Sequence, residues 1–492
     1  MKQPNIPYQM TFSFRWHSFE KNYKLWASLV VVLAAALGPA AALAADLDGN
    51  ELSIWWGGPF AGILLSIAFM PVLAPVFWHH HFAKVSAAWA MSFLIPFAVI
   101  IGPGAAGTSV VHALVAEYLP FIILLTALFT VAGGIFVRGN LRGTPTLNTA
   151  ILAVGAVLAS FMGTTGASML LIRPLIRAND NRRHQVHLIV FFIFIVSNVG
   201  GSLTPLGDPP LFLGFLKGVD FFWTLSHILP ETMFLLGILL ALFFVIDWWF
   251  YHRHEEMLSR DPTPDTRHIG FDGGINFLLL GVVAALVLMS GLWKSSVVFH
   301  LAGTEVGLPG LLRDMGLIVI TLVSLRVTPS SVHENNQFSW APMQEVARLF
   351  AAIFLTIIPV IAMLKAGIDG PFGAVIKGVT NSDGTPNPAM YFWVTGALSS
   401  FLDNAPTYLV FFNTAGGDPQ VLMTALAPTL VAISAGAVFM GANTYIGNAP
   451  NMMVKAIAED RGVKMPSFFG YMLWSCGILV PLFALMTWIW FI

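Results

Sequence analysis

The chain has 492 residues, of which 57% are hydrophobic and only 10% are charged. A soluble domain carries about 25% charged residues, so this composition excludes an ordinary soluble protein and predicts a membrane protein. The formal net charge of −1 is uninformative about partners, and the single cysteine, Cys476, excludes an intramolecular disulfide. We expect the lipid bilayer, and no nucleic acid, as the partner of this chain.

The first 45 residues have the pattern of a secretory signal. Lys21 and Lys24 precede an apolar run over 25–37, and a small-residue segment with an Ala-Leu-Ala triplet follows at 42–44. Basic, apolar and small-residue regions in this order are typical of a signal peptide. An uncleaved first helix is the alternative, so residues 1–45 are predicted to be one or the other.

Apolar segments of about 20 residues, the length that crosses a bilayer as a helix, recur along the rest of the chain. The predicted spans are 58–78, 87–101, 118–137, 187–218, 224–250, 274–293, 315–327, 345–366, 420–457 and 467–491. The spans at 187–218 and 420–457 are broken by polar residues, glycines and prolines. His79–His81 fall between two spans and are predicted to lie in a solvated loop.

Two further apolar stretches, 146–172 and 389–413, fit poorly as single spans. Each has a polar or helix-breaking patch halfway, SFMGTTGAS at 160–168 and SFLDNAPT at 400–407. Irregular backbone cannot face lipid, so such patches must be buried in protein or line a polar cavity. The pattern therefore predicts two re-entrant hairpins whose tips are these patches.

Basic residues fall on one side of the predicted topology. They are Arg138, Arg142, Arg173, Arg177, Arg182, Arg183, Arg253, Arg260, Arg267, Arg461 and Lys464. The positive-inside rule makes this side cytoplasmic, which predicts a multi-pass protein of the cell (inner) membrane with its C-terminus outside. Arg173 is predicted to snorkel at the cytoplasmic mouth of the first hairpin, and 251–273 to be a cytoplasmic linker.

A shift of 240 residues aligns the interruptions of the two halves, 46–250 and 274–492. It places Ser160-Phe161 on Ser400-Phe401, and GSLTPLGDPP at 201–210 on GANTYIGNAP at 441–450. Each half then has three spans, a hairpin, a broken helix and a final span. Five crossings in the first half would make the second enter from the opposite face. The sequence therefore predicts an all-α polytopic protein with inverted repeats, whose paired interruptions mark a transport site.

The broken spans are predicted to end inside the membrane as half-helices. Asp208-Pro209-Pro210 has an N-cap residue followed by proline at the helix start, and Asn448-Ala449-Pro450 repeats this arrangement. Helix N-termini attract anions, whereas freed carbonyls and carboxylates hold cations. We expect the two breaks and the two hairpin tips to converge on one polar cavity.

These motifs resemble those of the ion-transporter superfamily, which includes NhaD-type sodium/proton antiporters, arsenite permeases, citrate/metal permeases and divalent-anion/sodium symporters. SFLDNAPT and SNVGGSLTPLGDPP carry the resemblance, which covers about 58–492. It implies a homodimer in which hairpins and broken helices move like an elevator against a scaffold. The first hairpin reads Gly-Thr-Thr where the symporters have a Ser-Asn-Thr type of motif, which disfavours a carboxylate substrate.

The resemblance also implies the site residues. Asp403, Asp208 and Asn404 are assigned to proton and cation binding, with Asp403 as the main carboxylate because the matching position is Gly163. Buried ionisable residues in a membrane are functional by default, although both acids could simply cap helices. The residues assigned to the rest of the cavity are Ser160, Thr164, Thr165, Ser197, Asn198, Thr204, Thr407, Asn443, Thr444 and Asn448.

Three functions are compatible with such a site. In a cation/proton antiporter, a partly desolvated carboxylic acid has a raised pKa and holds a proton, and Na⁺ competes for the same oxygens. A citrate or related carboxylate permease coupled to protons or cations is the second. An intramembrane protease is the third, but Pro205 precludes a Gly-x-Gly-Asp motif and no His-Glu-x-x-His occurs. We predict a secondary active transporter and no enzyme, a sodium/proton antiporter that transports Na⁺ and H⁺ without a cofactor.

Overall fold

A computed structural model describes residues 47–253, 265–266, 268–301 and 304–492. The predicted signal or first helix at 1–45 and the greater part of the predicted linker at 251–273 lie outside the described residues.

The described part of the chain is mainly helical. The helices of the first half are α1 Gly58–Leu73, α2 Pro75–Ile100, α3 Pro103–His112, α4 Leu119–Gly133, α5 Pro145–Met162, α6 Thr164–Ala178, α7 Val186–Ile195, α8 Pro209–Leu216 and α9 Trp223–Arg253. Those of the second half are α10 Ile275–Leu292, α11 Leu308–Val327, α12 Ser330–Asn335, α13 Ala341–Thr356, α14 Ile358–Lys365, α15 Gly373–Gly378, α16 Pro388–Phe401, α17 Asn404–Thr414, α18 Pro419–Met423, α19 Ala427–Met440, α20 Ala449–Asp460 and α21 Phe468–Trp490.

Short segments of other types complete the secondary structure. There are 3₁₀ turns at Ile54–Gly57, Val199–Ser202, Gly367–Asp369 and Gly441–Asn443, and a π-helical segment at Ala113–Tyr118 joins α3 to α4. Two small antiparallel pairs are formed by β1 Phe136–Arg138 with β2 Gly270–Asp272, and by β3 Val298–Leu301 with β4 Thr304–Gly307.

Eight helical segments of the described chain are long and apolar enough to cross a membrane. They are Ile54–Leu73, Pro75–Ile100, Pro103–Gly133, Pro145–Met162, Trp223–His252, Ile275–Leu292, Leu308–Val327 and Phe468–Trp490. The pair α13 and α14, bent by 41°, is a ninth candidate. The prediction of an all-α polytopic membrane protein is confirmed.

The prediction of a loop at His79–His81 is wrong. Only Ala74 separates α1 from α2, and all three histidines lie in α2. Pro75 is tolerated because the first turn of a helix needs no N–H from it, and the ring of His80 hydrogen-bonds the Val76 carbonyl within the same helix, 2.8 Å away. The drop in hydrophobicity therefore marks a polar stretch of a helix and not its end.

Both predicted hairpins are pairs of helices with a sharp break at the predicted tip. α5 and α6 are separated by Gly163 alone, whose φ of +80° is accessible mainly to glycine. α16 and α17 are separated by Leu402 and Asp403. Both breaks fall inside the patches singled out in the sequence.

Each hairpin tip is tied to the helix break of its own half by the same two bonds. Ser160 Oγ donates to the Gly200 carbonyl at 2.6 Å, and the Ser160 carbonyl accepts from Thr204 Oγ1. The equivalent bonds 240 residues later join Ser400 to Met440 and Thr444. The repeat in the sequence is thus matched by a repeat of local structure, while inversion of the halves across a membrane stays a prediction.

The two breaks require glycine at matched positions for the same physical reason. A Cβ at Gly207 would lie 2.2 Å from the Gly201 carbonyl oxygen, and one at Gly447 would lie 2.5 Å from that of Gly441. Real Cβ atoms do not approach so closely, so each break can close only with glycine at this position.

Three segments lie together at one end of the molecule: the loop at 134–144, the C-terminal end of α6 and the segment that joins α11 to α13. Arg177 Nη2 donates to the Val137 carbonyl at 2.8 Å, and Asn336 Nδ2 donates to the carbonyls of Gly133 and Ile135, both at 2.8 Å. We call this end the basic face. Its assignment to the cytoplasm stays a prediction.

A buried ion pair holds the base of the first hairpin near the basic face. Asp247 Oδ1 of α9 accepts from Arg182 Nη2 at 2.7 Å and from His187 Nε2 at 2.8 Å. Its second oxygen, Oδ2, accepts from Asn148 Nδ2 of α5 at 2.9 Å. Because the side chains of Arg182 and Asp247 are both fully buried, their charges are compensated inside the protein.

Candidate functional site

Both hairpin tips and both helix breaks meet at one cavity of about 110 Å³. Its polar lining residues come from all four segments: Thr164 and Thr165, Asp208, Asp403 and Asn404, and Asn448. The convergence expected from the paired interruptions is therefore present.

The opposite wall of the cavity is apolar. α4 contributes Leu124, Leu125, Leu128 and Phe129, and α13 and its neighbourhood contribute Pro342, Met343, Val346 and Phe350. The hairpins and breaks thus supply the polar groups, and two long helices supply a smooth apolar surface against them.

Asp208 is at the centre of the polar groups. It is 2% exposed and occupies the N-cap position of α8, yet its side chain makes no capping hydrogen bond. Oδ1 accepts from Thr164 Oγ1 at 3.0 Å and from Asn448 Nδ2 at 3.1 Å, and Oδ2 accepts from Asn404 Nδ2. The carboxylate is therefore held by neutral donors from the first tip, the second tip and the second break.

Asp403 has a different environment. Its side chain is half-buried, lines the cavity and caps α17 by accepting from the Ala405 amide at 3.0 Å. The capping role considered for both acids is present at Asp403 and absent at Asp208. By position, Asp208 is the central carboxylate of the site and Asp403 lies beside it.

Asn404 has an unsatisfied side-chain oxygen at this site. Its Nδ2 donates to Asp208, whereas its buried Oδ1 has no hydrogen-bond partner among the described residues. A buried amide oxygen without a donor is costly unless something occupies it part of the time. It is a further oxygen that can accept a hydrogen bond from a protonated acid or coordinate a cation.

Seven of the predicted cavity residues do not line the cavity. They are Ser160, Ser197, Asn198, Thr204, Thr407, Asn443 and Thr444, and their hydrogen bonds hold the tips and breaks in place. These contacts position the residues that do line it, and their predicted part in binding stays a prediction.

Two supporting residues are missing from the sequence-based set. Asn451 of α20 is fully buried, accepts from Asn198 Nδ2 at 2.8 Å, and donates to the carbonyls of Gly441 and Thr444, both at 2.9 Å. Ser168 of α6 shares a hydrogen bond with Ser197, with 2.9 Å between their hydroxyl oxygens. A polar residue on the buried side of an amphipathic helix is the signal that could have identified both.

The donor set indicates the class of ion that the site can hold. Two carboxylates and the amide oxygen of Asn404 surround the cavity, and none of its lining residues is basic. Hard cations prefer oxygen ligands of this kind. The described residues contain no cluster of three or more His, Cys, Asp or Glu side chains that would suggest a resident metal.

Comparison with known families identifies the family of the chain. The model of the CitMHS_2 family, described as "Putative citrate transport", matches residues 49–491. The chain belongs to this family. The family is a member of the ion-transporter superfamily, so the resemblance seen in the sequence motifs is confirmed.

Individual relatives agree with this assignment. Uncharacterized transporters of Mycobacterium bovis and Mycobacterium tuberculosis are each 25% identical to the chain over 339 residues, which cover 66% of it and 72% of the relative. The P protein of Mus musculus is 27% identical over 185 residues, 35% of the chain and 22% of its own length. The chain is thus a multi-pass membrane transporter.

Proposed function

We propose that this transporter exchanges a cation, with sodium as the first candidate, for protons at Asp208 and Asp403. The observation that carries the proposal is the lining of the cavity, which has two carboxylates, amide and hydroxyl groups, and no basic residue. Such a set stabilises a positive charge, and an anion would meet unpaired negative charge in a poorly solvated site.

Competition for Asp208 would couple the two ions. Its three donors, Thr164, Asn404 and Asn448, stabilise the ionised form. A half-turn of the Asn404 amide would bring the unpartnered Oδ1 to face the carboxyl group, where it could accept a hydrogen bond from the protonated acid. The same oxygen could then coordinate a cation together with Asp208. Proton and cation would exclude one another without any further coupling device.

The size of the cavity favours a small cargo. The cavity has a volume of about 110 Å³. Pockets for drug-sized organic ligands have about 300–1,000 Å³. A partly hydrated ion fits this space, whereas a six-carbon tricarboxylate would require the site to expand.

The division of the cavity lining into a polar part and an apolar part supports an elevator-like mechanism. All polar lining groups belong to the hairpins and breaks, and α4 and α13 present only apolar side chains to the cavity. A unit built from the hairpins and broken helices could slide along such a surface without breaking hydrogen bonds to it. We propose that this unit carries the ion between the two faces, with the basic face in the cytoplasm of an inner membrane.

Citrate transport is the second candidate, and family membership favours it. A citrate anion at this cavity would face Asp208 and Asp403 without a basic residue in the lining. It would therefore have to be accompanied by protons or by a metal cation held between the substrate and the carboxylates. The half-helix N-termini at Pro209 and Ala449 would supply the remaining positive potential.

One assay separates the two candidates. The purified protein is reconstituted into liposomes that contain a pH-sensitive dye and is challenged in turn with the chloride salts of sodium, lithium and potassium and with citrate. Proton movement on a cation salt alone supports exchange. Movement on citrate but not on any cation chloride refutes exchange and supports the permease.

A matched pair of variants tests the role of the central carboxylate. Asp208→Asn keeps the shape of the side chain and removes its charge, and we expect it to abolish cation-dependent proton flux. Asp418→Asn is the control, because Asp418 is an exposed N-cap whose hydrogen bonds to Gln420 and Val421 an asparagine can also accept. Equal flux in both variants would refute the assignment of Asp208.

A further inference from the structure

Arg173 is a buried arginine that forms no ion pair with any described residue. It is 7% exposed, and its Nε and Nη1 are buried without a hydrogen-bond acceptor among the described residues. Only Nη2 has an acceptor, Gln337 Oε1 at 3.3 Å. Its predicted snorkelling is wrong, because two of the three guanidinium nitrogens are shielded from water.

Another buried arginine of the chain, in contrast, has a carboxylate partner. Arg182, also on the basic face, contacts Asp247 at 2.7 Å, and the side chains of both residues are fully buried. An unpaired buried charge is strongly destabilising. The free donors of Arg173 therefore point to a ligand and not to a structural ion pair.

Two more arginines belong to the same region: Arg177 lies on α6, and Arg461 directly follows α20, which packs against α6. Arg177 lies one helical turn further along α6, donates from Nη2 to the Val137 carbonyl at 2.8 Å, and has a buried Nε without an acceptor. The positive charge of Arg461, at the end of α20, acts on both Arg173 and Arg177. Two negative charges have the opposite effect: Asp460 acts on Arg173, and Asp180 acts on Arg177.

This arginine group is not neutralised by direct pairing. None of Arg173, Arg177 and Arg461 forms an ion pair with a carboxylate in the described part of the chain. Three positive charges thus share one end of the molecule, and among the described residues none of them forms an ion pair with Asp460 or Asp180. The remaining donors are guanidinium N–H groups, whose planar fork matches the two oxygens of a carboxylate or phosphate.

The arginine group also lies near the transport cavity. Along α6, Thr165 lines the cavity, Met169 follows one turn later, and Arg173 follows after another turn. Met169 packs with Phe129 and Met343 in a buried apolar cluster, and the latter two residues line the cavity. The cluster therefore lies between the cavity and the arginine group, which are about two helical turns apart along α6.

We propose that Arg173, Arg177 and Arg461 form a binding site for one oxyanion group, a carboxylate or a phosphate, on the basic face beside the apolar cluster. The site is distinct from the cation site at Asp208, which has no basic lining residue. Its occupant satisfies the free N–H groups of Arg173 and neutralises the arginine group. The proposal does not depend on which ion the cavity transports.

Binding to the purified full-length protein tests this site without any transport measurement. The protein is placed in nanodiscs of zwitterionic phosphatidylcholine, and its melting temperature is followed while inorganic phosphate or citrate replaces chloride at constant ionic strength. We expect a saturable rise for the wild type. Arg173→Gln should weaken the apparent affinity tenfold or more, and Arg173→Lys should weaken it less, because lysine keeps the charge and loses the fork.

The control is Arg138→Gln on the same face, where the arginine side chain is 61% exposed and pairs with Asp272 at 3.1 Å. It should leave the response unchanged. Arg461 is exposed, so Arg461→Gln does not disturb a buried contact. If Arg173→Gln does not fold, a weaker response in Arg461→Gln supports the site and an unchanged response refutes it.

A second set of nanodiscs with phosphatidylglycerol identifies the source of the oxyanion. If the anionic lipid raises the melting temperature of the wild type but not of Arg173→Gln, and phosphate then adds nothing, the occupant is a lipid headgroup. If phosphate or citrate still stabilises the protein, the occupant is a free anion. A wild type that responds to none of the three, or a response that Arg173→Gln retains in full, overturns the proposal.

Discussion

Replacement of Thr164 by valine removes one of the three hydrogen bonds to Asp208 and keeps the size of the side chain. Thr164 Oγ1 donates to Asp208 Oδ1 at 3.0 Å, and both side chains are buried. A hydrogen bond to a charged group contributes about 1.5–3 kcal/mol. Its loss destabilises the ionised carboxylate relative to the protonated acid by that amount, because the Thr164 hydroxyl donates its hydrogen bond to the negatively charged form.

The expected consequence is a shift in the pH dependence of exchange. About 1.4 kcal/mol corresponds to one pH unit in a protonation equilibrium, so Thr164→Val should move the midpoint by about one to two units. The direction of the shift follows from the loss of the Thr164 donor. Without this donor the Asp208 carboxyl group holds its proton more tightly, so a higher pH is needed to release it. The midpoint should therefore move to alkaline pH.

The assay is cation-driven proton flux in dye-loaded liposomes over a series of pH values. Thr130→Val is the matched control, because Thr130 is equally buried and donates only to the Thr126 carbonyl of its own helix. It should leave the midpoint where the wild type has it. A midpoint of Thr164→Val that is unchanged, or that moves to acid pH, would refute the role of Asp208 as the proton-binding group.

Three further outcomes are expected. Asp208→Asn should abolish exchange whereas Asp403→Asn, which keeps the cap of α17, should only reduce it; flux assays of both variants decide between this order and the reverse order expected from the sequence. Asp247→Asn should lower the free energy of unfolding by about 3–5 kcal/mol, because Arg182 loses its buried partner. Burial lowers the pKa of His333, so the melting temperature should fall as the pH drops below the ordinary value of 6.5, and His333→Phe should lessen that fall.

The parts of the fold that the sequence predicts well are those with strong local signals. Gly163 interrupts one apolar run, and Asp208 and Asn448 interrupt two others together with the prolines that follow them, a pattern typical of helix starts. The shift of 240 residues adds information that no single motif contains, because it relates two breaks far apart in the chain. These signals suffice for the hairpins, the breaks and their meeting at one cavity.

The other features of the site and the fold depend on contacts that no local sequence pattern indicates. Asp208 and Asp403 both precede helices, and the sequence favours Asp403 as the main carboxylate. Only the packed structure shows that Asp208 is held by three donors while Asp403 caps its helix. The sequences of α4 and α13, which form the apolar wall, are not distinguishable from those of other membrane-spanning helices. The partner of Asp247 is 65 residues away along the chain, a distance at which spacing carries no information.

The repeat itself leads to a last prediction, because the matched positions 208 and 448 are Asp in one half and Asn in the other. If the halves were equivalent, the double variant Asp208→Asn/Asn448→Asp would restore the exchange that Asp208→Asn loses. The structure indicates otherwise: Asn448 Nδ2 also faces two acceptors, the Ser197 carbonyl at 3.2 Å and Asn198 Oδ1 at 3.3 Å. A carboxylate at 448 would turn these hydrogen bonds into contacts between acceptors, which buried groups tolerate poorly. The double variant should therefore stay inactive in the flux assay and melt below Asp208→Asn, and recovery of exchange would show that the surroundings of position 448 do not fix the carboxylate in the first half.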